Sequence, residues 1–228
     1  MKTYYHFTSD KLRDGRPIPP IGEWLEHEGP VIPCKSGLHA SEHPADAIEF
    51  APGCMLHLVE LDEKIIRHGG DKVVTSRRKI LATIDATGLL RDYARWCALR
   101  VIDKWDAPEV VKRYLETGDD TLRSEAAWAA WTARAAWTEA AWAAARAART
   151  AAADAPWTAA CSSAAAARAA WTAAAEEPWT PACSSAAARA ARTAATRAAR
   201  KARAATEREE KQEQRNRLLE LVNKAFGI

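Results

Sequence analysis

The sequence predicts an α+β fold: a small mixed, mainly antiparallel sheet head followed by an all-α alanine-rich helical repeat. Three observations predict it. All six histidines and nine of the ten glycines precede residue 121, in the composition of a turn-rich sheet unit. Alanine, the best helix former, supplies 42 of the 83 residues from Ser124 to Thr206. Residues 1–120 carry 17 basic and 20 acidic side chains, whereas residues 121–228 carry 16 and 10, so the two halves also differ in sign. The segments that follow are a head over 1–86, connecting helices over 87–120 and a repeat over 121–228.

Thr3–Thr8 is aromatic and β-branched and opens the head as a strand. Gly15, Pro17, Pro19, Pro20 and Gly22 punctuate a loop. Pro30–Cys34 is a short extended piece, and Gly37 marks a turn before Leu38-His39-Ala40. Ser41 precedes a helix start at Pro44, with one or two turns reaching Phe50. Met55–Leu61 alternates as a strand, and Asp71–Val74 and Arg78–Ile84 are further strands. From Thr87 the apolar residues recur at three- and four-residue steps, predicting a helix. Pro108 starts a second helix, which Gly118-Asp119-Asp120 ends.

The second half repeats itself. Pro156-Trp157-Thr158 returns as Pro178-Trp179-Thr180, and Cys161-Ser162-Ser163 as Cys183-Ser184-Ser185, as in a stacked helical repeat. Helices are predicted near 121–153, 158–176 and 181–224. At about 100° per residue, Trp128, Trp131, Trp142, Arg146 and Arg149 fall in a narrow arc opposite an alanine side. A tryptophan buries far more area than an alanine, so the indoles are expected to choose the inward faces. Arg189, Arg192, Arg197, Arg200 and Arg203 make the last helix basic. Leu218, Leu219, Leu221, Val222 and Phe226 form an apolar patch that docks on the protein itself or pairs residues 214–228 of two copies.

A net charge of +3 excludes a strongly charged disordered polymer. Apart from alanine there is no uncharged apolar run of about 18 residues, so no membrane span is expected. The start, Met1 to His6, lacks the apolar stretch of a secretory leader, which places the protein in a cytoplasm. Five cysteines at irregular spacing argue against a disulfide framework.

The run from Cys34 to Ala47, with Cys54–Glu60 and Asp71-Lys72-Val73, resembles a small domain family of bacteriophage genomes. Its motif stands here as Cys34-x-x-Gly37-Leu38-His39, and the likeness covers roughly residues 3–85. In such proteins the domain often precedes a repetitive tail. The second half is similar to alanine-rich repeats of phage proteins and of immunity proteins of toxin systems. These resemblances imply an accessory interaction protein in the host cytoplasm, without a cofactor, that binds a host or phage protein in counter-defence or host takeover.

A second likeness implies different chemistry. Tyr5–Ser9, Gly37–Ser41 and Ala45–Phe50 are similar in order to ADP-ribosyltransferase-like domains, which use NAD. Carried over, His6 meets the nicotinamide ribose, Ser41 lies near the cofactor and Glu60 is the late acid, with His39 as a further candidate. The structural alternatives are a strand histidine satisfied by backbone, a turn-fixing His39 and a solvent-facing Glu60. Cys34, His39, His43 and Cys54 are ligand types for zinc, but their spacing matches no standard finger, and no metal is expected. A third expectation is nucleic-acid or nucleotide binding, with the Trp128, Trp131 and Trp142 planes stacking bases and the arginines meeting phosphates.

Overall fold

A computed structural model of the chain describes residues 2–104, 106–132 and 186–228. Two compact units divide them, one holding residues 2–93 with 215–228 and the other residues 94–132 with 186–214.

The first unit is built on β1 (Tyr4–Thr8), β2 (Trp24–Glu26), β3 (Leu38–Ala40), α1 (Pro44–Ala47), β4 (Met55–Leu61), β5 (Ile66–His68), β6 (Lys72–Thr75) and β7 (Arg77–Asp85). One sheet has the order β1-β4-β7-β2 and the other β3-β6-β5, with every described pair antiparallel. Tyr5 and Ser41 exchange both backbone hydrogen bonds at 2.9 Å and tie the β3 side to β1. Strand side chains alternate between faces. Tyr4, Val59, Leu61 and Ile80 of the first sheet therefore meet Ala40 and Val73 of the second in one buried cluster. Each such side chain contributes roughly 1.5–3 kcal/mol by leaving water.

The strands beginning at Tyr4, Met55, Lys72 and Arg77 stand where the sequence places them. Three local readings differ. Pro30–Cys34 is not a strand: only Ile32 bridges, to Ser36, closing a turn. Three three-residue strands, β2, β3 and β5, were not predicted, being too short for alternation to show. Helix α1 is capped by the His43 ring, whose Nδ1 accepts from the Ala45 N–H at 3.1 Å, with Pro44 beginning the helix. Ser41 lies two residues before this cap position, where its backbone pairs with Tyr5, and does not cap the helix.

Helix α2 (Thr87–Leu99) begins where predicted. In the second unit α3 (Glu109–Thr117) ends on Gly118 at φ 71°, whose N–H reaches the Tyr114 carbonyl. It packs on α4 (Arg123–Thr132). The inward side of α4 overturns the expectation from indole area. Ala126 and Ala130 are buried, while Trp128 is 65% exposed. Methyl side chains let α3 approach closely, and at this interface proximity decides over area per residue. The last helix, α5 (Ala186–Phe226), is continuous and spans much of the predicted 181–224. Within the second unit Arg100 grips Glu210 with Nε and Nη2, both at 2.8 Å, and the Gln214 amide donates to the same carboxylate. No described helix is long and apolar enough to cross a membrane.

Candidate functional site

The cavity of the first unit, about 610 Å³, opens between the β1 face and the turn that leads into β3. It lies within the usual range for small-ligand sites.

Alternation builds its floor. His6 shares the inner face with Tyr4 and Thr8, and stands opposite His57 in register. The two imidazoles stack with centroids 6.3 Å apart. His57 is buried and held on both sides, Nε2 to Thr8 Oγ1 and Nδ1 to Thr83 Oγ1, each at 2.8 Å. Thr8 donates its own hydrogen to the Ser9 carbonyl, so it accepts from Nε2–H, leaving Nδ1 bare for the Thr83 hydroxyl. Burial, then the Arg78 charge, lowers the His57 pKa to about 4. His6 is pushed well below its ordinary value by burial, with Arg78, His57, His39 and Arg13 adding to it. Both rings are therefore neutral at pH 7. No described residue hydrogen-bonds to the His6 ring, which lines the cavity.

The rim is set by the Cys34–His39 turn. Cys34 (φ 63°) and Gly37 (φ 113°) both take left-handed backbone. A Cβ on Gly37 would lie 2.6 Å from Val74 Cγ2, so glycine is required twice over. The His39 Nε2 accepts from the Cys34 N–H at 3.2 Å, closing the turn. The Cys-x-x-Gly-Leu-His pattern is thus a folded unit in itself: backbone bend, buried Leu38, and imidazole returning to the first residue.

Arg78 supplies the charge. On β7 it shares the inner face with Ile80, stands opposite Leu61 of β4 and is 5% exposed. Its Nη1 donates to the His39 carbonyl at 2.6 Å, and no described carboxylate forms an ion pair with it. Burial lowers its pKa to about 10, against a weak opposing pull from Asp14, so it stays cationic at neutral pH. Asp14 is itself engaged by Arg16, whose Nη2 lies 2.8 Å away. Among the lining residues Lys11, Arg13, Arg16, Lys35, Lys72 and Arg78 are cationic, and Asp14 alone is acidic. Phe50 stands at the wall, 40% exposed, with Lys72 Nζ 4.3 Å from its ring centre.

The expected triad is only partly assembled. His6, His39 and Ser41 line this cavity, and Glu60 does not. Val59 and Leu61 occupy the core face, so Glu60 between them points to the other side of the sheet. There Lys79 Nζ meets it at 2.5 Å and lies 4.7 Å from the Trp24 ring. Of the four zinc-type side chains, His39 and His43 each accept a backbone N–H with one ring nitrogen, and Cys34 and Cys54 are free thiols. No cluster of three metal-ligating side chains occurs among the described residues.

Trp128 is exposed on α4, and Trp131 follows it on the same helix. Arg189, Arg192, Arg197, Arg200 and Arg203 lie on the backbone of α5. Trp142, Arg146 and Arg149, and the predicted helix over 158–176, lie outside the described residues. Arg78, Arg13, Lys72 and His57 were missed from the sequence. The available signal was parity: Arg78 and His57 sit on the alternation that elsewhere reads Ile80, Val59 and Leu61.

Comparison with curated proteins and with solved structures gives no match. Residues 1–92 match the model of a family described as a domain of unknown function, DUF7666, and this N-terminal stretch is similar to it.

Proposed function

We propose that residues 2–93 form a binding module for a phosphorylated small ligand of the nucleotide class, with NAD as the first candidate. The observation that carries the reading is Arg78: a buried guanidinium in the cavity wall that pairs with no carboxylate among the described residues. Such a charge is costly to keep out of water, and an anion entering the cavity would offset that cost. Arg13 and Lys72 line the same space, and the Phe50 ring offers a plane for a base. His6, neutral and without a hydrogen-bond partner among the described residues, accepts from or donates to a ligand hydroxyl.

The side of the sheet occupied by Glu60 supports binding over group transfer, because the acid implied by the ADP-ribosyltransferase likeness lies away from the cavity. In this reading the protein remains an accessory binding protein, its repeat serving a macromolecular partner. Calorimetric titration of the full chain with NAD, ADP-ribose and AMP tests it. Saturable binding that His6→Ala weakens and Arg78→Met abolishes is the expected result. Heat that neither substitution changes, or no binding of any of the three, overturns it.

A further inference from the structure

We propose that Arg215, more than 160 residues from β1 in sequence, is a positioning residue for this cavity. The proposal rests on the ligand-binding reading above. Helix α1 has four residues, too few to hold its shape alone, and the 3₁₀ turn Ile48–Phe50 continues it. Yet Ala47 and Phe50, from these two pieces, form part of the cavity wall. Something outside must fix them.

That support comes from the end of α5. Arg215, Leu218 and Val222 share one helix face by their spacing. Leu218 and Val222 are fully buried and anchor the helix, which delivers the Arg215 guanidinium to Asp46 on α1. The grip is two-pronged: Nη1 meets Oδ1, and Nη2 meets Oδ2 at 3.0 Å. A fork on a carboxylate fixes orientation as well as distance. The Asp46 side chain is only 15% exposed, so it relies on that partner. At the residue after Val222, the Tyr5 hydroxyl donates to Asn223 Oδ1 at 3.3 Å, tying the same helix to β1, another wall of the cavity.

The test uses the full chain, with NAD as ligand and amide hydrogen exchange over residues 44–51 as a second readout. Arg215→Met alone strands a buried carboxylate, so the decisive variant is Arg215→Met with Asp46→Asn, which removes both charges. It is expected to fold, to exchange the Ala47 and Ala51 amides faster, and to bind NAD about tenfold more weakly. Arg215→Lys, which keeps charge but not the fork, is expected to fall between. Unchanged NAD affinity in the folded double variant overturns the proposal by itself. Failure of the unaltered chain to bind NAD, ADP-ribose or AMP overturns the ligand-binding reading and this one with it.

Discussion

Arg78 and His57 illustrate how two polar side chains on a core-facing parity serve different ends. His57 has both nitrogens satisfied and is a structural cross-brace among three strands. Its pKa of about 4, against an ordinary 6.5, means that the unfolded chain takes up its proton first. Stability from this residue is complete above pH 6.5 and is lost as pH falls towards 4, by up to about 3 kcal/mol. Thermal midpoints measured between pH 7 and 5, above most carboxylate titration, are expected to fall, and His57→Gln is expected to flatten that slope. Arg78 gives the opposite signature. Arg78→Met removes a buried charge, so the melt is expected to move by less than about 1 kcal/mol in either direction while ligand binding is lost. A large loss of stability in urea unfolding would make Arg78 a structural residue instead.

At the scale of elements, the turn from Cys34 to His39 carries more constraint than any strand of the head. Gly37→Ala places a methyl group against Val74 and forces a left-handed residue to carry a Cβ. The expected cost is about 2–4 kcal/mol, read from the midpoint of urea unfolding. The long strands were legible because Met55–Leu61 and Arg77–Asp85 run for seven and nine residues rich in apolar side chains. Trp24–Glu26 was not, since three residues show no period and its place at the sheet edge comes from pairing with Lys79 and Arg77. His6 and His39 were legible as cavity residues through their motifs. Glu60 was assigned by chain order alone, and strand parity, already visible in Val59 and Leu61, places it on the far face. Trp128 was misjudged for a related reason: the area an indole removes from water counts only where a neighbour leaves room for it, and Ala126 and Ala130 admit a closer one.

For the molecule as a whole, the unit that contains the cavity is discontinuous in sequence. Its sheets are complete by Asp85, but Leu218 and Val222 are among its most buried side chains. Removing residues 215–228 takes away two such side chains, worth about 3–6 kcal/mol together, comparable to the whole stability of a small unit. The shortened chain is expected to lose its cooperative melt over the head, followed by near-ultraviolet circular dichroism of the β1 tyrosines. A peptide of residues 215–228 added back is expected to restore part of it. The terminal apolar patch was legible as a docking element, whereas the neighbouring contacts of Arg215 with Asp46 and of Asn223 with Tyr5 were not, because pairs 169 and 218 residues apart leave no local trace.

This arrangement has a consequence for biosynthesis. A ribosome making ~5–20 residues per second finishes the strands of the head and then translates residues 94–214 before the closing segment 215–228 exists. For that interval, on the order of ten seconds, the nascent head waits with Tyr5 and Asp46 uncovered, a window in which a chaperone has something to hold.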